Sequence, residues 1–293
     1  MIRRLLPRLV ALALAGGALA GCAAPGTSGK PEVVASFYPL QYVAQRIVGT
    51  HADVTNLTGP GVEPHDLELS PRQTASLSGA AVVFYEDGLQ PAVDDAVHND
   101  PPTHAVDAAK VVHLHAGQEG GRDPHFWLDP LLLAETARTF TKAIAAADPS
   151  HATDYERADE LLQRDLLALD REYRAGLQKC RSRTLVVSHD AFGYLGRRYH
   201  LQVHPIAGLS PDAEPSARHL AELSDLIRTD KITTVFSERL ASPKLADTLA
   251  GDLGITTAVL DPIEGLASRT ASGDYRSLMR ANLAAIRKAG GCS

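Results

Sequence analysis

The feature that most constrains the fold is a stretch of about 29 residues, 150–178, that contains no proline and one glycine, Gly176. Apolar residues recur along it every three or four positions, as on one face of an α-helix: Tyr155, Ala158, Leu162, Leu166, Leu169, Tyr173 and Leu177. At 1.5 Å per residue such a helix would be roughly 43 Å long. A coiled-coil arm is the alternative, but the pattern lasts only about three heptads. We therefore expect a linking helix over 149–179 that acts as a strut between two domains.

The segments on either side, 32–148 and 180–293, both alternate short β-prone runs with helical segments. The β-prone runs are 33–38, 54–57, 81–85, 184–187, 202–203, 232–236 and 256–260. Such alternation predicts mainly parallel sheets flanked by helices. The expected fold class is therefore α/β, with two similar lobes joined by one long rigid helix. Ligands of such proteins collect at the carboxyl ends of the strands and in the cleft between lobes.

Composition and charge exclude several classes of protein. The chain has 293 residues, of which 44% are hydrophobic and 22% charged, so it is neither a disordered chain nor a fibre nor a small disulfide scaffold. Its net charge is −6, and removal of the three arginines in 1–21, a segment with no acid, makes it −9. An acidic surface argues against nucleic acid as a partner. Twelve histidines make metal binding worth testing.

The amino terminus predicts export and lipid anchoring. Arg3 and Arg4 precede an apolar stretch of about 12 residues, too short to span a bilayer and typical of a signal peptide. It ends in Leu19-Ala20-Gly21-Cys22, which matches the lipobox of bacterial lipoproteins. We expect a signal peptide over 1–21, lipid on Cys22 and a flexible tether over 22–31, which would hold the protein on the outer face of a cell membrane. An ordinary secretory signal with a chance cysteine is the alternative.

Two further cysteines, Cys180 and Cys292, are candidates for a disulfide, because cysteine pairs outside the cytosol usually bridge. The bond would close a loop of about 110 residues, worth roughly 4–5 kcal/mol if unstrained. Two free thiols, or a metal site with two thiolates, are the alternatives.

Four loops each offer one potential metal ligand. His65 follows the run at 54–57, His125 precedes a helix, His189 follows the run at 184–187, and Asp261 follows the run at 256–260. Two come from each lobe, so one ion could join both lobes. Three imidazoles and one carboxylate suit four-coordinate Zn²⁺, whereas Ca²⁺ or Mg²⁺ would need mostly oxygen ligands. No close-spaced pair such as His-Glu-x-x-His gives a local signature.

The sequence resembles the ZnuA-like zinc-binding lipoproteins of metal ABC uptake transporters over nearly the whole mature chain. The motifs that carry the resemblance are Ser36-Phe37-Tyr38-Pro39-Leu40, Glu63-Pro64-His65-Asp66, Asp123-Pro124-His125-Phe126-Trp127-Leu128-Asp129-Pro130, Ser188-His189-Asp190-Ala191-Phe192-Gly193-Tyr194-Leu195, Gly208-Leu209-Ser210-Pro211-Asp212-Ala213-Glu214-Pro215, Val235-Phe236-Ser237-Glu238 and Leu260-Asp261-Pro262. The resemblance implies two α/β lobes, one long helix and metal in the cleft. Manganese-binding relatives typically have Glu at the position of His189, so His189 indicates zinc.

One departure from the family concerns its long histidine-rich loop. This chain has a sparse version, with His98, His104, His113 and His115. A solvated loop and a weak secondary metal-capturing loop both remain open. The carboxylates that could orient the ligand rings are Glu63, Asp66, Asp123, Asp190 and Glu238.

The leading functional hypothesis is a monomeric, non-catalytic protein that captures Zn²⁺ outside the membrane and delivers it to an ABC permease and its ATPase. Transport of manganese or another divalent metal is one alternative, and a surface adhesin is a second. A zinc hydrolase is a third, with His65, His125 and His189 as ligands and Asp261 as general base. Four ligands spread over two lobes would close the coordination sphere, which argues against the hydrolase.

Overall fold

Two four-stranded sheets, one in each half of the chain, form the framework of the protein. The computed structural model describes residues 29–118, 120–268 and 273–293. The strands are β1 (Glu32–Ala35), β2 (Asp53–Asn56), β3 (Val82–Tyr85), β4 (Ala105–Asp107), β5 (Thr184–Val187), β6 (Gln202–Pro205), β7 (Thr234–Ser237) and β8 (Thr256–Val259). The orders are β2-β1-β3-β4 and β6-β5-β7-β8, and every pairing between these strands is parallel. The predicted α/β class is confirmed, and the two sheets share one topology.

Helices connect the strands and cover both sheets. They are α1 (Tyr38–Val48), α2 (Pro71–Gly79), α3 (Pro91–Asn99), α4 (Ala108–Val112), α5 (Pro130–Ala147), α6 (Ala152–Gly176), α7 (Gly193–Tyr199), α8 (Ala217–Thr229), α9 (Lys244–Leu253) and α10 (Tyr275–Gly290), with 3-10 turns at Phe126–Leu128 and Pro149–His151. Local sequence explains the starts of several of them. Asp129 caps α5, accepting from the Leu131 N–H at 2.9 Å, and Pro130 occupies its first position.

The long central helix is α6. Its 25 residues give a length of about 37 Å. It begins three residues later than predicted, because Pro149–His151 forms a 3-10 turn. Its buried face contains Tyr155, Leu162, Leu166, Leu169 and Tyr173, as the apolar period indicated, and packs against α1, α5 and α10. The helix therefore contacts elements of both halves.

Apolar residues alternate between two faces of each sheet. On β1, Val33 and Ala35 face a large core that includes residues of both halves, such as Phe84 and Phe236, whereas Val34 faces a smaller cluster. The second sheet also has its own smaller cluster on the opposite face. This burial on both faces is usual for parallel sheets. Because the large core runs through both halves, Pro31–Ser293 forms one compact unit, and the lobe boundaries at 148/149 and 179/180 stay predictions.

In the structure Cys180 and Cys292 form a disulfide. The bond joins the segment after α6 to the end of the chain. The N–H groups of Arg181 and Ser182 donate to the carbonyl of Gly290 at 2.9 and 3.1 Å, so backbone hydrogen bonds reinforce the same connection.

The segment expected to be a sparse histidine loop contains regular structure that the sequence analysis did not predict. His98 lies on α3, His104 precedes β4, and His113 ends α4 in the left-handed conformation with φ 51°. Among the described residues that follow α4, an antiparallel bridge pairs Ala116 with Arg122.

The predicted signal peptide, the lipidation residue Cys22 and most of the tether lie outside the described residues. Within the described part, no helix has both the length and the apolar character needed to cross a membrane.

Candidate metal centre

Four side chains from loops in both halves of the chain meet in one buried group. His65 lies between β2 and α2, His125 immediately before the 3-10 turn Phe126–Leu128, His189 after β5, and Glu264 after β8. One ligand atom from each lies within 4.8 Å of those of the others. No other set of three or more His, Cys, Asp or Glu residues in the described chain converges in this way. The three predicted histidines are therefore brought together.

Glu264 is the carboxylate at the centre of the group. Its Oε1 lies 3.0 Å from His125 Nε2, 3.4 Å from His189 Nε2 and 3.6 Å from His65 Nε2. Both Glu264 oxygens and His65 Nε2 are buried without a hydrogen-bond partner among the described residues. A buried carboxylate without such partners is costly. An ion bound to the three Nε2 atoms and to Glu264 Oε1 would satisfy that oxygen and His65 Nε2, and this donor set fits Zn²⁺.

The structure does not bring Asp261, the predicted fourth ligand, into this group. One oxygen of Asp261 accepts the N–H of Ile263 at 2.8 Å, and the other lies 3.0 Å from Nε of Arg239. Its carboxylate is thus used within the turn after β8, and that turn delivers Glu264 three residues later. Both acids follow the same strand in Asp-Pro-Ile-Glu, so the only signal available in the sequence was a second carboxylate at the same strand end.

Two of the three imidazoles are fixed by carboxylates behind them. His125 Nδ1 lies 2.9 Å from Asp123 Oδ1, which also accepts the backbone N–H of His125 at 3.0 Å. His189 Nδ1 lies 2.5 Å from Glu238 Oε1, an oxygen that also accepts from the Ser188 hydroxyl. Such contacts select the tautomer that leaves Nε2 free for a metal.

The other three candidate carboxylates have different surroundings. Asp190 accepts from the Gln118 backbone N–H at 2.8 Å, and Asp66 is exposed. Glu63 accepts from the backbone N–H of His65 at 3.3 Å. Only Asp123 and Glu238 of the five orient a ligand ring.

The electrostatics of the metal-free group are those of a compact ion cluster. Burial would raise the pKa of Glu264, but His125, His189 and His65 hold it well below its usual range. Burial would lower the pKa of His189, but Glu238 and Glu264 raise it well above its ordinary value. Burial would also lower the pKa of His125, but Asp123 and Glu264 raise it above its ordinary value. Burial, followed by the charge of Glu264, raises the pKa of Glu63 to about 8.

The floor of the site is apolar and joins the two halves. Phe126 and Trp127 are fully buried, as expected for core residues. The indole Nε1 of Trp127 donates to the carbonyl of Pro262 at 2.7 Å, and the ring packs edge-on against His125 with centroids 5.3 Å apart. The side chains of His125, His189 and Glu264 are 0% exposed, whereas that of His65 is 13% exposed. Solvent therefore reaches the group at His65.

A protein with two parallel α/β sheets, a long central helix and a buried His₃Glu group between the sheets has the architecture of a metal-specific solute-binding protein. Comparison with known sequences identifies the family. The family described as "Zinc-uptake complex component A periplasmic", ZnuA, matches residues 33–289. The chain belongs to the ZnuA family.

Individual relatives agree with this assignment. The chain is 34% identical over 277 residues to the high-affinity zinc uptake system protein ZnuA of Bacillus subtilis, covering 88% of this chain and 87% of that protein. It is 32% identical over 280 residues to the zinc-binding lipoprotein AdcA of Streptococcus pneumoniae, covering 89% of this chain but 56% of the relative. The chain therefore spans little more than half of AdcA.

Solved structures share the fold. The Zn(II)-bound ZnuA-like domain of Streptococcus pneumoniae AdcA superposes with a TM-score of 0.78 at 33% identity, covering 89% of this chain and 99% of that one. The laminin-binding protein Lmb of Streptococcus agalactiae, described as bifunctional with adhesin and metal-transporting activity, gives 0.80 at 29% identity, with coverages of 88% and 99%. The predicted family and two-lobed fold are confirmed. Membership of a family of uptake components also confirms that the protein is not an enzyme.

Proposed function

We propose that this protein captures Zn²⁺ outside the cytoplasmic membrane and delivers it to the permease and ATPase of an ABC importer. The observation that carries the proposal is the buried convergence of His65, His125, His189 and Glu264, which we take as the four zinc ligands. Two relatives, ZnuA of Bacillus subtilis and AdcA of Streptococcus pneumoniae, are named for zinc uptake and zinc binding.

The donor set supports zinc over manganese. Three imidazole nitrogens and one carboxylate oxygen match the ligands of four-coordinate Zn²⁺, whereas Mn²⁺ favours sites rich in carboxylate, carbonyl and water oxygen. Cu²⁺ and Ni²⁺ also bind imidazole well, so availability of the metal outside the cell contributes to selectivity.

The same site supports capture and release better than hydrolysis. A catalytic zinc site keeps one coordination position for water. Glu264 would supply the fourth ligand instead of water, since its Oε1 is within 3.6 Å of all three Nε2 atoms. The ligands also come from both sheets, so small shifts of one half against the other would change the coordination of the ion.

The expected location is the outer face of a cell membrane, with the protein held by lipid on Cys22. This part of the proposal is supported by the Leu19-Ala20-Gly21-Cys22 sequence and by the description of the relative AdcA as a lipoprotein. A monomer that docks on its permease is the simplest form of such a receptor.

Metal titration tests the proposed function. The chain without residues 1–22 is stripped with chelator and titrated with Zn²⁺ and Mn²⁺ by calorimetry at neutral pH, and elemental analysis follows. We expect one tightly bound zinc per chain and much weaker manganese. If manganese bound as tightly as zinc or more tightly, the assignment of zinc as the metal would be wrong. Failure to bind either ion would refute the site.

A second candidate function, adhesion, is favoured only by the likeness to Lmb, which is described as having adhesin activity. The test measures binding of the purified chain to immobilised laminin and compares it with binding of the His125→Ala variant. Binding by both proteins would indicate an adhesive surface separate from the metal site, whereas absence of binding would leave zinc capture alone.

A further inference from the structure

The turn that carries Glu264 is held by hydrogen bonds at successive residues. Asn282, buried on α10, donates from Nδ2 to the carbonyl of Asp261 at 2.6 Å and accepts the N–H of Asp261 through Oδ1 at 2.9 Å. The carbonyl of the next residue, Pro262, accepts from Trp127 in the other half of the molecule. The start of the turn is therefore fixed from two directions.

The turn also contains an unusual backbone conformation. Ile263 is fully buried and has φ 60°, in the left-handed region that β-branched residues rarely adopt. Such conformations persist only where the surrounding structure enforces them, and they concentrate at functional sites. At Ile263 this conformation is held by a hydrogen bond, in which the Ile263 N–H donates to the Asp261 carboxylate at 2.8 Å.

The second oxygen of Asp261 pairs with an arginine at the surface. Arg239 Nε lies 3.0 Å from Asp261 Oδ2, and the two side chains are 48% and 8% exposed. Arg239 directly follows Glu238, the residue that fixes His189. One short segment after β7 thus reaches two metal-ligating side chains, His189 through Glu238 and Glu264 through Arg239 and Asp261.

We infer that Asp261 and Arg239 are positioning residues for the Glu264 carboxylate. Arg239 holds the Asp261 carboxylate, Asp261 holds the Ile263 N–H, and the resulting left-handed turn directs Glu264 to the three imidazoles. The inference rests on the proposed zinc-binding function. Asp261, expected from the sequence to touch the metal, would then act on it through Glu264.

The test combines zinc dissociation with a spectroscopic probe of the ligands. Arg239→Gln removes the charge pair, and Asp261→Asn keeps an acceptor for the Ile263 N–H but loses the charge. Zinc release is measured by transfer to a chromophoric chelator, and ligand geometry by the visible absorption of the Co²⁺-loaded protein. Loss of residues behind metal ligands usually weakens metal binding by about 10–100-fold, and we expect about tenfold faster release for Arg239→Gln. Its Co²⁺ spectrum should change toward that of Glu264→Ala, and Arg239→Lys should restore much of both properties.

The control and the double mutant separate positioning from general stability. Arg280, 46% exposed and paired with Glu172 through Nε at 2.7 Å, is a matched arginine on α10, and Arg280→Gln should leave release and spectrum unchanged. Arg239→Gln in a Glu264→Ala background should add little, because the pair acts through Glu264. Additive effects, or an unchanged Co²⁺ spectrum in Arg239→Gln, would overturn the inference. Failure of the unmutated protein to bind zinc would instead refute the proposed function.

Discussion

His125 and His189 differ from His65 in how firmly the protein holds them. The first two side chains are fully buried, and a buried carboxylate, Asp123 or Glu238, fixes the ring nitrogen that faces away from the site. The side chain of His65 is 13% exposed, and the neighbouring carboxylate of Glu63 accepts from the backbone N–H of His65 at 3.3 Å. The candidate site thus combines a rigid pair of imidazoles with a third that is less constrained.

The loop that carries His65 is attached mainly through its backbone. Gln90 donates to the carbonyl of Pro64 at 3.3 Å, and the N–H of Gly61 donates to the carbonyl of Leu266 at 2.7 Å. Such a loop can keep its course while the imidazole changes rotamer. We expect metal to exchange on the His65 side, while His125 and His189 keep their geometry. A ligand that is already oriented loses less entropy when the ion binds, so its removal should cost more affinity.

The largest expected effect is therefore that of His125→Ala. We predict a loss of zinc affinity of about 1,000-fold or more, since the change removes a fully oriented ligand and leaves Asp123 buried without its imidazole partner. His65→Ala should lose about tenfold less than His125→Ala. Both affinities are measured by competition with a chromophoric chelator, and circular dichroism checks that each variant is folded.

His98, 62% exposed on α3, supplies the control for these two variants. His98→Ala should bind zinc as the unmutated protein does. Equal losses for His65→Ala and His125→Ala would show that the difference in orientation between the two rings has no consequence for binding.

The sequence predicted the three histidines because each follows a strand or precedes a helix, where parallel sheets gather their ligand-binding loops. It predicted Asp261 and not Glu264, because the choice between the two carboxylates depends on a left-handed backbone at Ile263. A β-branched residue gives no sign of that conformation, which a local hydrogen bond to Asp261 and tertiary contacts from Asn282 and Trp127 impose. The turn was therefore visible only in the folded protein.

Prediction of the fold from the sequence is limited in the same way, because some elements depend on tertiary contacts. The long helix and seven of the strands have apolar patterns that a sequence reveals, whereas β4 has three residues, Ala-Val-Asp, and no such pattern. Helix α3 begins at Pro91 after Gln90, which makes no side-chain capping hydrogen bond. Both elements form because they pack on existing structure: β4 pairs with β3 and buries Val106 in the large core.

A smaller effect is expected when the carboxylate behind His189 is neutralised. Glu238→Gln keeps the size of the side chain but removes the charge that holds the His189 ring, so zinc affinity should fall by about 10–100-fold. Isothermal titration in competition with a chelator measures the loss.

Asp66→Asn is the matched neutralisation, because Asp66 is adjacent to His65 in sequence but is exposed. We expect less than about a twofold change for it, as for most exposed charges. If both variants bound equally, the carboxylate contact would be irrelevant to affinity, and the contrast between His189 and His65 would have to lie in burial alone.

The smallest effect is on the pH dependence of stability in the metal-free protein. Burial would lower the pKa values of His125 and His189, but Asp123, Glu238 and Glu264 raise them, that of His189 well above its ordinary value. A histidine whose pKa is raised by folding adds stability below its unfolded pKa, about 6.5, and that stability is lost as pH rises through the folded pKa. The unfolding temperature of the metal-free protein should therefore fall by a few degrees above pH 6.5, since ~1 kcal/mol moves it by about 2–4 °C in a chain of this size.

Zinc requires neutral imidazoles, so its affinity should rise over the same range, and the difference in unfolding temperature between zinc-loaded and metal-free protein should widen. Scanning calorimetry from pH 6 to 9 measures both trends. Glu238→Gln should flatten the metal-free curve, because it removes the charge that raises the pKa of His189. An unchanged curve in this variant would show that the contact between Glu238 and His189 does not cause the pH dependence.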